Sequence, residues 1–318
     1  MKLSVLVPVY NLEHYIGPCL KSICEQVVNF DYEVIVCDDA STDNSPSIIS
    51  SYASTYPQIK PILKDKNGGL PNNMRTLLSA AKGEYIAYLD GDDLALPGKL
   101  QKQVNYLQEN PDCSMVYHES DMFDSDSNES LKLYSQEFYN WQYIPQRSSI
   151  EHLVKYGTFM QASSVMFKNH SRLTDTVPDN CNIILDYPFY ILNAGYLNAH
   201  IDFLPEVLGR YRVHQASFGA QTQKSATRRE QCLADIMAAC ELARQFGVDE
   251  EIVEAGVAHH QFATALFFLF KKNFDRFNHW IVVSAANQKF FNDKHAYCWQ
   301  LRAQPEQLLR QLRAGKIT

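Results

Sequence analysis

The sequence has eight cysteines, at positions 19, 24, 37, 113, 181, 232, 240 and 298, but no C-x-x-C pair and no zinc-type spacing among them. That scatter speaks against a disulfide framework and suits reduced thiols in a cytosolic protein. An excess of basic residues is missing too. The formal net charge is −7, which argues against a general nucleic-acid binder, because neutralising phosphates takes a basic face. Long apolar runs are also scarce: Phe262 to Phe270 is the longest, well short of the ~20 residues of a membrane-spanning helix. The start, Met1 to Pro8, reads as one apolar strand without cleavable-signal architecture. The expectation is a soluble protein, cytoplasmic or at most peripheral on the inner face of a membrane. Nor does a glycine-rich, basic loop follow the first strand. Pro8-Val9-Tyr10-Asn11 stands there, which weighs against a nucleotidyltransferase holding a triphosphate.

What is present begins with a sizeable core: 318 residues, 46% of them hydrophobic and 12% aromatic, describe a globular chain of one large or two modest domains. The organising stretch is Tyr85 to Pro97. A buried strand, Tyr85-Ile86-Ala87-Tyr88-Leu89, stops at Asp90-Gly91-Asp92-Asp93. Carboxylates at that density repel one another, and a divalent cation such as Mg²⁺ or Mn²⁺ would relieve the repulsion. A solvated turn using Asp as a helix cap is the plainer alternative.

Upstream, Leu3 to Val9 reads as a strand buried on both faces, with Asn11 capping the following helix. Val34 to Cys37 is a second strand, ending at Asp38-Asp39; Asp43 suits a helix cap before Ser47 to Tyr56. A third strand, Ile59 to Leu63, leads to Asn67-Gly68-Gly69 and a helix from Asn72 to Lys82, with Gly83 at its C′ position. Strands alternating with helices predict a parallel sheet wound right-handedly, with ligands outside the carboxyl ends of its strands. Both acidic clusters fall on that edge.

Downstream, Pro97 to Gln108 reads as a helix and Cys113 to Tyr117 as a strand, and the aromatic-rich, polar 120–147 reads as a binding loop or lid. Gln161 to Phe167 suggests a strand. Asp186 is a lone acid in an apolar stretch, which is costly unless it is paired or reaches a polar cleft. Alternation in Leu208 to Ser217 puts Arg210, Arg212 and His214 on one strand face. Beyond Phe218 the periodicity is helical, over 227–246, 249–272 and 305–314. The domain reading is therefore 1–217 for the α/β part and 218–318 for a helical C-terminal region. The last helix reads as packed on its own domain, with a peripheral membrane or oligomer contact as the other option. The adjacent pair His259-His260 reads as surface decoration.

Taken in order, Pro8-Val9-Tyr10-Asn11, Asp38-Asp39-Ala40-Ser41-Thr42-Asp43, Asn67-Gly68-Gly69, Gly83 through Asp93, and Tyr211-Arg212-Val213-His214 resemble the family-2 inverting glycosyltransferases of the GT-A fold, of the bacterial surface-polysaccharide type. The resemblance covers about the first two-thirds of the chain. It implies transfer of a sugar from a UDP-sugar or dTDP-sugar to an acceptor hydroxyl, in building a cell-surface polysaccharide or lipopolysaccharide. It also implies a saccharide or lipid-linked saccharide acceptor and Mn²⁺ or Mg²⁺ as cofactor. By the same resemblance Asp39 accepts a hydrogen bond from the uracil or thymine imide with Asp38 beside it, and Pro8, Tyr10, Asn67, Gly68 and Gly91 belong to the nucleotide site. Asp90 faces the ribose or metal, Asp92 binds the metal, and Arg212 and His214 close over the diphosphate, His214 as a second metal ligand. Asp186 matches the general base. Two positions depart from the family pattern: Met74, followed by Arg75, stands where an Arg is usual, and Leu185 precedes Asp186 where another acid is usual. The Q-x-x-R-W signature of processive synthases is absent, which implies one sugar per encounter. A non-catalytic sugar-nucleotide-binding or assembly module is the alternative.

Overall fold

The computed structural model describes residues 1–138, 140–179, 183–214, 222, 224–286 and 289–315. They divide into two compact units, one of Met1–Ile150, Thr158–Pro178 and Leu192–Gln215, the other of Glu151–Gly157, Asp179–Ile191 and Ala216–Thr318.

In chain order the first elements are β1 (Leu3–Val9), α1 (Ile16–Cys24), β2 (Tyr32–Asp38), α2 (Ser45–Thr55), β3 (Ile59–Leu63), α3 (Gly69–Ala80) and β4 (Tyr85–Tyr88). There follow β5 (Leu94–Ala95), α4 (Lys99–Glu109), β6 (Cys113–Asp124), β7 (Ser130–Leu133), α5 (Tyr134–Glu137), β8 (Arg147–Ser148), α6 (Ile150–Tyr156), β9 (Met166–Lys168), α7 (Asp186–Leu197) and β10 (His200–Val213). The strands form one sheet in the order β3-β2-β1-β4-β9-β6-β10-β5, with β7 on β6 and β8 on β10. β3, β2, β1 and β4 run parallel, as do β6 and β10; β9 and β5 are antiparallel to their neighbours. This is the expected mainly parallel sheet flanked by helices. All seven residues of β1 are buried, as a central strand covered on both faces requires. Val5, Val7 and Val36 of the sheet share one cluster with Leu20 and Ile23 of α1 and with Leu100 and Val104 of α4.

Local chemistry corrects several expectations. Asn11 does not cap α1: its backbone adopts φ 55°, and its Oδ1 accepts the Thr42 amide at 2.8 Å. Asp43 accepts the amides of Glu13 (3.0 Å) and Ser45 (2.9 Å), tying the loop after β1 to the start of α2. Gly83 is no helix C′ residue, since α3 ends at Ala80. A Cβ at Gly83 would lie 2.3 Å from the Ser4 nitrogen, so glycine is needed there for close approach to β1. Its amide donates to Ser4 Oγ at 2.8 Å, and that hydroxyl donates to buried Glu33 at 2.7 Å. The segment 161–167 is a 3₁₀ turn, Ala162–Ser164, running into β9.

The aromatic segment is no free lid. Phe123 is buried, Trp141 packs edge-on against Tyr117 and Phe203, and Phe138 does the same against Phe159. The cost of exposing so many rings to water anchors the segment to the core. Tyr139 lies outside the described residues.

The second unit carries α8 (Ala226–Leu242), α9 (Glu250–Phe270), α10 (Phe274–Ser284), α11 (Asp293–Gln300) and α12 (Pro305–Arg313). α9 has the length and composition of a membrane span, beyond what its longest unbroken apolar run suggests. Its Phe262, Ala265, Phe268 and Leu269, however, form a core with Phe277, Ile281 and Leu308, and the central helix of a soluble bundle passes the same test. Leu308 and Leu309 of α12 are buried in that core, so the helix packs within its own unit. His259 is not surface decoration: it is buried and stacked on Phe291 at 4.4 Å, and His260 packs against Tyr187 at 5.4 Å. The seven described cysteines are buried free thiols.

Candidate active site

At the carboxyl end of β4 the chain turns through Asp90-Gly91-Asp92-Asp93, closed by the Asp93 amide donating to the Asp90 carbonyl at 3.0 Å. The turn sits tightly on β1 and α1. A Cβ on Gly91 would lie 2.9 Å from Leu12 Cδ1 and 3.1 Å from the Pro8 carbonyl oxygen. Pro8 itself is buried within β1, whereas Tyr10 is exposed.

The four positions have different environments. Asp90 accepts the Tyr88 hydroxyl at 2.5 Å, and its amide donates to Ser163 Oγ at 2.9 Å. Asp93 is buried and saturated. Its Oδ2 accepts Ser163 Oγ–H (2.6 Å) and Gln161 Nε2 (2.9 Å), and its Oδ1 accepts the Arg212 amide (2.9 Å). Burial and then the charges of Asp92 and Asp90 push the Asp93 pKa up; the Ser163 and Arg212 donors oppose them. Beneath the turn, the Cys19 thiol donates to the Asp90 carbonyl at 3.6 Å. Burial, and secondarily the three acids, keep that thiol protonated.

Asp92 is the acid that reaches outward. Its Oδ2 lies 3.1 Å from His214 Nε2, with both side chains partly exposed. Arg212 Nε donates to the Asp92 carbonyl oxygen at 2.7 Å. The guanidinium lies over the rings of Tyr15 (4.9 Å) and Phe123 (4.5 Å), and Tyr15 also meets the His214 ring at 5.3 Å. Stacked between aromatic faces, the cation is held in place while keeping its charge. Arg210 turns instead to Asp121 (2.8 Å) and Asn128 (2.8 Å).

A second group forms after β2. Asp38 is buried and accepts the Ser41 amide (2.9 Å) and hydroxyl (2.5 Å). Asp39, also buried, accepts the amides of Gly68 (3.1 Å) and Gly69 (2.7 Å) at the start of α3, and Lys64 Nζ at 3.1 Å. A carboxylate at a helix N-terminus is favoured by the backbone N–H groups there. Asn67 Nδ2 donates to the Asp39 carbonyl at 3.1 Å, which leaves the exposed Asn67-Gly68 turn at the rim. Arg75 donates to the Val177 carbonyl at 3.0 Å.

Asp186 belongs to the second unit, where it opens α7. It is exposed to solvent, yet desolvation by surrounding protein raises its pKa, while the Tyr187 amide at 2.9 Å opposes.

The structure thus brings together Asp90, Gly91, Asp92, Arg212 and His214 in one constellation, and Asp38, Asp39, Asn67 and Gly68 in a second at the carboxyl end of β2, with β1 between β2 and β4. Sequence reasoning missed Tyr15 and the Asp93–Gln161–Ser163 clasp. Asp93 lay in the acidic motif without a role, and nothing in the sequence singles out Tyr15. Among the described residues no three His, Cys, Asp or Glu side chains are grouped closely enough to cage an ion unaided. Asp92 and His214 offer two donors, which fits a cation completed by substrate phosphates and water.

Comparison with known proteins gives this geometry its context. The sequence pattern of "Glycosyl transferase family 2" matches residues 4–168, more than half the chain. An uncharacterised Mycobacterium tuberculosis protein is 35% identical over 214 residues, 67% of this chain and 59% of that protein, so the chain spans only part of that relative's length. An uncharacterised glycosyltransferase of Methanocaldococcus jannaschii is 30% identical over 213 residues, 66% of this chain and 70% of its own. A poly(ribitol-phosphate) beta-glucosyltransferase of Bacillus spizizenii is 39% identical over 112 residues, 35% of this chain and 18% of that one. Among solved structures, residues 1–349 of S. aureus TarS in complex with UDP-GlcNAc superpose with a TM-score of 0.64 at 20% identity, covering 99% of this chain and 88% of that one. The mannosyltransferase PcManGT of Pyrobaculum calidifontis, in complex with GDP-Man and Mn²⁺, gives 0.60 at 17% identity, again over 99% and 88%. These two share the fold. With its family pattern matched from β1 to β9, this chain belongs to glycosyl transferase family 2.

Proposed function

We propose that the protein is an inverting glycosyltransferase that moves a sugar from a UDP-sugar, or a dTDP-sugar, to an acceptor hydroxyl during assembly of a cell-surface polysaccharide. The observation that carries this reading is the convergence of Asp92, His214 and Arg212 beside a strand-end acidic turn: two metal-type donors and a fixed guanidinium within one contact network. Relatives that act on polymeric acceptors support the acceptor class.

In this reading Arg212 balances diphosphate charge from its aromatic cradle, and Asp90, oriented by Tyr88, faces the ribose. Asp39 acts by fixing Gly68, Gly69 and Lys64, which shape the nucleobase end with Asn67, Tyr10 and Asp38. Asp92 and His214 would hold Mn²⁺ or Mg²⁺, which when bound supplies Lewis-acid neutralisation of the departing diphosphate. Asp186 takes the proton of the acceptor hydroxyl as that oxygen bonds to the anomeric carbon. The bond to the diphosphate oxygen breaks with its electron pair leaving on UDP, and the anomeric centre inverts. A carboxyl whose pKa is raised is a better base than a free one.

Calorimetry of UDP with and without Mn²⁺ tests the site. The Mn²⁺-dependent part of the affinity should vanish in Asp92→Ala, and a wild-type affinity indifferent to Mn²⁺ would remove the cation from the proposal. Asp186→Asn should bind UDP normally yet lose slow UDP-sugar hydrolysis. Undiminished hydrolysis would take the base role away from Asp186.

A further inference from the structure

Asp235 stands near the middle of α8, on the same buried face as Cys232 and Ala239, and is 6% exposed. Asp is a poor former of helix interiors, and a carboxylate taken so far out of water is costly unless donors meet it. Two donors come from a distant part of the chain. Asp235 Oδ2 accepts the amide of Ile183 at 2.6 Å and that of Ile184 at 3.1 Å. Bonds from backbone N–H groups to an ionised oxygen are roughly twice as strong as neutral ones. Leu185 alone separates Ile184 from Asp186, which opens α7. On the other side of Asp186, Tyr187 is buried, and its hydroxyl is shared between the carbonyl oxygens of Leu153 (3.0 Å) and Val154 (3.2 Å) in α6. Asp186 is thus flanked in the chain by two fixed points, and all these groups belong to the second unit.

We propose, on the base role given to Asp186 above, that Asp235 is a positioning residue for that base: by holding the Ile183 and Ile184 amides it fixes where α7 begins, and so the direction in which Asp186 presents its carboxylate to the acceptor hydroxyl. Ile183, Ile184 and Leu185 belong to no helix or strand, so no regular backbone ladder sets their path. The tie from α8 does. Asp186 is exposed, and its Oδ1 accepts the Tyr187 amide at 2.9 Å, so the carboxylate follows the backbone of its own turn instead of being wedged by neighbouring side chains. A shift of that turn therefore moves the base. Misplacing a reacting group by ~1 Å can cost about a hundredfold in rate.

Two variants of the full-length chain test this. Asp235→Ala removes the acceptor, whereas Asp235→Asn keeps an oxygen that can take both amides, since both bonds fall on Oδ2. With slow hydrolysis of UDP-GlcNAc and of UDP-glucose as the assay, Asp235→Ala should lower kcat about tenfold while KM and UDP affinity stay within about twofold, because alignment is lost and binding is not. Asp235→Asn should restore kcat to within about threefold of the wild type. Amide hydrogen exchange at Ile183 and Ile184 should be about tenfold faster in Asp235→Ala, with Phe268 in the core of the same unit unchanged. A role in stability alone would lower the melting temperature and leave kcat per folded molecule at the wild-type value. That result overturns the proposal, as does an equal loss of kcat in Asp235→Ala and Asp235→Asn. Should Asp235→Ala not fold, Asp235→Ser, whose shorter side chain withdraws the acceptor, carries the same expectations. Wild-type exchange at Ile183 and Ile184 as fast as in an open chain overturns the proposal without any variant. If Asp186→Asn loses hydrolysis and Asp235→Ala does not, the positioning role alone falls; if Asp186→Asn keeps it, the base reading falls and the positioning role with it.

Discussion

Acid should unfold the helical unit through its own histidines. His259 and His295 are fully enclosed by the bundle, and burial lowers their pKa to about 3 and about 4; His260 is also lowered well below its usual value. Each stacks on a phenylalanine, His259 on Phe291 and His295 on Phe262 at 4.3 Å, and both side chains are buried. Folded, these imidazoles stay neutral; unfolded, they take up a proton below about pH 6.5. Between that pH and the folded values the unfolded chain binds more protons, so stability present above about 6.5 is lost as pH falls. At about pH 5 the difference is about 1.5 pH units per histidine, or about 2 kcal/mol each and about 4 kcal/mol for the pair. Urea unfolding followed by fluorescence of Trp280 and Trp299, both in this unit, measures the change from pH 7 to pH 5. His259→Gln should remove about 2 kcal/mol of the acid-induced loss, whatever the carboxylates contribute. A variant that loses as much stability on acidification as the wild type would refute the reasoning.

Three further outcomes follow from the first unit and from Asp186. Asp93→Asn must turn its NH2 toward at least one of the three donors that Asp93 now accepts, so it should cost about 1–3 kcal/mol in urea unfolding and weaken UDP binding as well; normal values for both would deny the clasp. Gly83→Ala puts a methyl against the β1 backbone and should cost at least ~2 kcal/mol in thermal unfolding, with no effect confined to ligand binding. Because desolvation by the surrounding protein raises the Asp186 pKa, UDP-sugar turnover should decline as pH drops through that raised value, by about tenfold per unit below it. Asp186→Asn should show a low, flat profile, and a retained acid limb would point to another base.

Some of this molecule is written in local order. Unbroken apolar runs at Leu3–Val9 and Val34–Cys37, each ending at turn residues and followed by helical spacing, specify buried parallel strands, because a residue's preference for burial needs no knowledge of its partner. The acidic turn after Tyr88 and the basic residues of β10 are equally visible, and their types alone confine the chemistry to charge balance. Which acid does what is another matter. Asp90, Asp92 and Asp93 are indistinguishable in sequence; only long-range packing sends Asp93 inward to Ser163 and Arg212 and leaves Asp92 outside with His214. Tyr15 carries no sequence signal for the same reason, and His259, read from sequence as a surface residue, is buried by it. Their roles come from elements far away in the chain, and burial by distant segments sets both their charge and their neighbours. Gly83 makes the point at a single atom: its place in the sequence suggests a helix cap, and the approach of β1 decides that no side chain fits there.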